Sequence, residues 1–154
     1  MNTKLKFVVI CLSLASVTVW AQTKDKKTDK PVKRIPVYLG RSTVSDGKLS
    51  KKTFDSLLKQ GLTSRDSLGM PYGVDGFALT YGERNLYEDS VGNLMWVTDH
   101  LVEYCMGDSL TTFLLNNITE RSKPGDTVYF DQITVRSAAG KASPGKAMRL
   151  VLTK

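Results

Sequence analysis

The segment that most narrows the possible folds is Asp126–Val135, DTVYFDQITV. It is rich in β-branched and aromatic residues, holds no Gly or Pro, and follows a Ser122-Lys-Pro-Gly125 turn. That is the composition of a strand bounded by a turn. Strict alternation would put Phe130 and Ile133 on opposite faces. If both are buried, a β-bulge falls at Asp131–Gln132. Residues 137–145 form a small-residue loop, and residues 147–152 are again apolar. The C-terminal third therefore reads as a hairpin that closes a sheet.

Upstream, Phe77, Leu79 and Tyr81 alternate as in a half-buried strand. Residues 88–93, EDSVGN, form a turn. Residues 94–106, LMWVTDHLVEYCM, then give one long strand, or two joined by a bend. Residues 35–39 make a short strand, placed at an edge because Pro36 cannot donate to a ladder. Ser50 caps a helix whose apolar face is Phe54, Leu57, Leu58 and Leu62. Leu49 and Phe54 staple its start, Asp55 and Lys59 form an i,i+4 pair, and Gly61 ends it. Residues 63–75 read as a loop. A second helix, capped at Asp108, carries Leu110, Phe113, Leu114 and Ile118 and ends near Arg121. The expected class is α+β: a mostly antiparallel β-sheet or sandwich with two short helices packed on it.

The N-terminus has a different character. Lys4 and Lys6 precede an uncharged run that ends Val19-Trp20-Ala21. A basic head, an apolar stretch and small residues before the cut are the parts of a secretory signal, expected over residues 1–21. The run is short for a spanning helix and contains Ser13, Ser16 and Thr18, so no stable transmembrane anchor is expected. Cys11 leaves with the signal. Cys105 is then the one mature cysteine and reads as a buried apolar thiol. A homodimer linked through it stays open.

The net charge of +7 sits mostly in one place. Residues 22–36 carry six basic and two acidic residues, whereas residues 37–154 carry 14 and 13. The first stretch reads as a basic flexible linker, with attraction to an anionic envelope surface as its functional variant. A nearly neutral domain over residues 37–154 is not the basic face of a nucleic-acid binder.

Catalytic constellations are sparse. His100 is the only histidine, and its neighbour Asp99 points to the other face of a strand. No His/Cys pair has metal-ligand spacing, and Gly73-Val-Asp-Gly76 has too few acids for a calcium loop. No phosphate or dinucleotide loop is present. Glu83, Glu88 and Asp89 could supply a glycosidase carboxylate pair but read as a solvated loop. The Asn117-Ile-Thr119 sequon falls inside the second helix. The reading is a non-enzymatic chain with no catalytic residue, metal site or cofactor.

Asp followed by Ser or Thr and an aliphatic residue occurs at Asp55, Asp66, Asp89, Asp108 and Asp126. Cap and turn chemistry accounts for such pairs. The pattern also resembles the O-glycosylation motif of exported Bacteroidetes proteins, with Ser67 and Ser90 as candidates.

Three stretches carry a wider resemblance. Gly125-Asp-Thr-Val-Tyr-Phe-Asp-Gln-Ile-Thr-Val135, the loop at Gly140 and Met148-Arg-Leu-Val-Leu152 are similar to the end of the gliding-motility GldM family. Gly47-Lys-Leu-Ser-Lys-Lys-Thr-Phe54 resembles that family's first helix. Gly76-Phe-Ala-Leu-Thr-Tyr81 resembles its Phe-rich strand. The likeness covers residues 38–153 and implies a β-rich terminal domain of the Bacteroidetes type IX secretion and gliding machinery. This chain lacks the helical stalk and preceding β-domains of that family, so a binding role carries over and a motor-shaft role does not. The implied partners are envelope or secretion-machinery proteins, met in the periplasm or at the cell surface. Met70, Tyr72, Tyr87 and Trp96 are the candidate protein-binding residues. The alternative is a cell-surface glycan-binding or adhesin-like module.

Overall fold

A computed structural model describes residues 33–154. The expected signal segment and most of the basic linker lie outside the described residues. Eight strands and two helices follow in the order β1 (Val37–Leu39), β2 (Gly47–Ser50), α1 (Lys51–Leu58), β3 (Leu62–Arg65), β4 (Pro71–Glu88), β5 (Leu94–Met106), α2 (Thr112–Arg121), β6 (Thr127–Arg136), β7 (Ala142–Pro144) and β8 (Met148–Thr153).

The strands form one sheet in the order β1-β3-β4-β6-β8-β2, with β5 on β4 and β7 on β6. The β2–β8 pair is parallel, so the sheet is mixed. It curls as a half-barrel: the Ile35 N–H donates to the Pro144 carbonyl, and the Lys146 N–H donates to that of Ile35. β1 thereby reaches across to the segment between β7 and β8. The class is α+β, but the architecture is a curled mixed sheet and not a clear antiparallel sandwich. Gly145 permits the closure, because a Cβ there would sit 2.8 Å from Ile133 and 2.9 Å from Val37.

The core follows the period-2 pattern. Phe77, Leu79 and Tyr81 of β4 face Val128, Phe130 and Val135 of β6 within one buried cluster. The Phe77 and Phe130 rings lie 5.8 Å apart. Phe130 and Ile133 are both buried, and the bulge forms where the residues require it. Ala78 pairs with Asp131 and Gly76 with Thr134, so Phe77 opposes two residues of β6. Gln132 takes the left-handed conformation there, with φ at 50°.

Ser50 caps α1, its hydroxyl accepting the Thr53 N–H. Phe54 and Leu58 face the core, and Gly61 follows the helix at φ +75°. Asp55 pairs with Lys51 at 2.6 Å and not with Lys59, because Lys51 also donates to the Thr119 carbonyl and so ties α1 to α2. α2 begins at Thr112, later than expected. Its cap is Thr111, whose hydroxyl accepts the Leu114 N–H, while the Asp108 carbonyl accepts the Leu62 N–H. Leu114 and Ile118 are buried. Phe113, expected on the same face, is 80% exposed.

The expected loop at residues 63–75 contains β3, its turn and the start of β4. The expected loop at residues 137–145 contains β7. Two turns are built alike. In Asp66-Ser-Leu-Gly-Met the Asp66 carboxylate accepts the N–H groups of Leu68 and Met70, both at 2.9 Å. In Asp89-Ser-Val-Gly-Asn the Asp89 carboxylate accepts those of Val91 and Asn93, at 2.9 and 2.8 Å. The glycine of each turn has positive φ. Turn chemistry thus accounts for the Asp-Ser pairs at Asp66 and Asp89. It leaves Ser67 and Ser90 both exposed in the two hairpin turns.

Candidate functional site

β4 and β5 pair from Gly76↔Met106 to Glu88↔Leu94. β6 stays with β4 only as far as Gly82↔Thr127. Beyond Gly82 the hairpin continues alone as a two-stranded ribbon. A buried carboxylate marks the end of the three-stranded part. Asp126 accepts the Tyr81 hydroxyl at 2.7 Å, the Arg84 N–H at 2.8 Å and the Lys123 N–H at 2.9 Å. The Arg84 N–H would otherwise lack a strand partner, because β6 has ended. Burial, then the bond to Asp126, pushes the Tyr81 hydroxyl well above the ordinary phenol range.

Charged side chains brace the ribbon's root. Glu83 pairs with Arg121 and, at 3.1 Å, with Lys123, which also donates to Asn85 at 2.6 Å. Burial pushes the Glu83 carboxyl up, but the hydrogen bonds and charges of Lys123 and Arg121 outweigh it and hold it below the usual range. Arg84 stacks 4.3 Å over the Trp96 ring.

β5 has no second partner among the described residues. The Gly107 N–H donates to the Asp75 carbonyl, and the Asp89 N–H to that of Asn93. With the register, these bonds turn the odd-numbered backbone groups of β5 towards β4. The even-numbered groups, including those of Thr98, His100, Val102 and Tyr104, face the open edge. Leu94, Met95, Trp96, Val102, Tyr104 and Met106 are exposed large apolar residues on this one strand. A long, open, apolar edge is a template for another strand unless something covers it.

On the core-facing side, the edge runs into a groove of about 340 Å³ between β5 and α2. Leu101 and Cys105 line one side, Phe113 and Leu114 the other, and Glu103 and Asn117 lie among them. The Cys105 thiol is buried, as expected. Burial, then the Glu103 carboxylate, pushes it up and away from the reactive thiolate.

The four candidate binding residues fall at opposite ends of β4. Tyr87 and Trp96 are exposed on the ribbon, on its two opposite faces. Met70 is exposed in the β3–β4 turn, and Tyr72 is half-buried against Ser64. Fifteen residues separate Tyr72 from Tyr87 on one strand, roughly 50 Å of extended chain. Of the four, only Trp96 lies on the open-edge strand β5, with Tyr87 beside it on β4. Sequence reasoning missed Val102, Tyr104, Phe113 and Asn117. The available signal was apolar residues on both faces of residues 94–106, too many for a strand with one wet side.

His100 and Asp99 project from opposite faces of β5, and both are exposed. Glu83 is held by Arg121 and Lys123, while Glu88 and Asp89 lie at the ribbon's far end. Among the described residues no three His, Cys, Asp or Glu side chains are placed to hold a metal ion. No helix there is long and apolar enough to cross a membrane. No family model matches the chain, and no curated protein matches it.

Proposed function

We propose that this chain is a non-enzymatic, exported protein-binding domain whose docking element is the open edge of β5. The observation that carries the reading is that edge itself: 13 residues paired on one side only, apolar on both faces, half of them on a projecting ribbon. Pairing through an edge uses backbone donors and acceptors and asks for no catalytic side chain. The resemblance to the terminal domain of the GldM family supplies the setting, with partners in envelope or type IX secretion and gliding assembly. The glycan-binding alternative asks for aromatic rings gathered in one groove. Tyr87 and Trp96 instead lie on opposite faces of the ribbon, and Arg84 covers one face of the Trp96 ring.

Val102→Pro tests the reading. Val102 is exposed and its N–H faces the open edge, so proline there blocks strand addition without removing a bond to β4. Wild type and a Met70→Ala control should recover secretion-ring proteins from envelope extract, and Val102→Pro should not. Equal recovery by all three, or recovery of polysaccharide alone, refutes the reading.

A further inference from the structure

The groove beside β5 restricts what the edge can accept. A strand added to β5 places its inward side chains directly opposite Leu101, Glu103 and Cys105, with Cβ atoms about 5 Å from theirs. Leu101 and Cys105 present apolar surface, and Phe113 and Leu114 face them across the groove. Between them, Glu103 makes no ion pair or side-chain hydrogen bond among the described residues. Asn117 lines the same groove, and its side-chain oxygen is shut off from water with no donor. A buried acceptor without a donor is costly. The nearby cations of α2 and its following turn, Arg121 and Lys123, are already committed to Glu83. The groove therefore has an exposed carboxylate with no cation beside it among the described residues and a covered acceptor without a donor, framed by apolar walls.

Resting on the docking reading above, we infer that the occupant is an extended protein segment of the pattern apolar–x–Lys/Arg–x–apolar. Its cation sits between Glu103 and Asn117, and its two apolar side chains rest against Leu101 and Cys105. Such a cation pairs with the accessible Glu103 carboxylate, and charge-assisted bonds are the strong ones. A second copy of this chain fits less well. The core-facing row of β5, Met95, Val97, Asp99, Leu101, Glu103 and Cys105, has no cation to set opposite Glu103 in any register of antiparallel self-pairing.

The probe is the capped peptide Thr-Val-Thr-Lys-Thr-Val-Thr, whose inward row reads the same in either strand direction. Its twin carries Glu in place of Lys, and a third peptide is N-methylated along its pairing edge. Binding to the full chain is read by fluorescence anisotropy. The Lys peptide should bind at least about tenfold tighter than its twin. Glu103→Gln should shrink that preference to about twofold, and Val102→Pro and N-methylation should each abolish binding. If Lys and Glu peptides bind alike while Val102→Pro still abolishes both, edge docking stands and the cationic occupant is wrong. A preference that survives Glu103→Gln also overturns this inference. If no peptide binds, or Val102→Pro changes nothing, the docking reading falls with it. A dimer in sedimentation that Val102→Pro dissociates makes the second copy the occupant, against the inference.

Discussion

Asp126 is where stability and architecture meet. Its carboxylate is fully buried and accepts three hydrogen bonds, from Tyr81, Arg84 and Lys123. A hydrogen bond to a charged group contributes about 1.5–3 kcal/mol, and bonds that share one acceptor group do not add fully. Asp126→Ala leaves three donors without their acceptor, so the expected loss is about 3–5 kcal/mol. Near this chain length that is roughly 12–20 °C in Tm. Tyr81→Phe removes one donor and should cost about 1–2 kcal/mol. Equilibrium urea unfolding followed by circular dichroism measures both. pH separates the two roles. The Tyr81 hydroxyl is raised by burial and by Asp126, so its contribution is complete below the unfolded phenol's value of about 10 and is lost as pH climbs through the folded value. Wild type should therefore weaken on the alkaline side, and Tyr81→Phe should weaken less steeply. An Asp126→Ala loss under about 1 kcal/mol would remove Asp126 as the clamp that ends the three-stranded sheet.

Two further expectations concern the bulge and the turns. Gln132 at φ 50° lies where a β-branched residue fits worst. Tm should rank Gln132→Gly at or above wild type and Gln132→Val lowest, about 1–2 kcal/mol below wild type, and any other order refutes left-handed strain there. If the hairpin turns are modified, intact mass of protein purified from its native host should show sugar additions that vanish in the Ser67→Ala, Ser90→Ala double variant; an unadorned mass in the wild type refutes glycosylation.

Local chemistry was legible where a single residue type answers a single geometric need. Ser50 before an apolar period marks the start of α1, and Phe130 with Ile133, if both are buried, asks for a bulge at Asp131–Gln132 whatever the neighbouring strand. Asp108 misled because Asp-Ser-Leu is an equally good cap, and the choice of Thr111 depends on the Leu62 N–H reaching the Asp108 carbonyl from another strand. β2 was hidden for a similar reason. Gly47–Ser50 reads as a turn running into a helix cap, and only β8, about a hundred residues away, makes it a strand. β3 is mostly polar, and its strand character comes from lying between β1 and β4.

The same distinction bears on the site. Residues 94–106 declare themselves a strand through β-branched and aromatic content, but nothing within them says how many neighbours they have. A strand buried on both faces and an uncovered edge awaiting a partner have the same local pattern, because the next strand would satisfy the same apolar side chains and the same even-numbered backbone groups in either case. The ambiguity is therefore physical: the pattern suits β5 with or without a second neighbour. What decides between them is long-range: β6 pairs on the other side of β4, Asp126 stops it short so that the ribbon projects beyond it, and β5 keeps one edge free among the described residues.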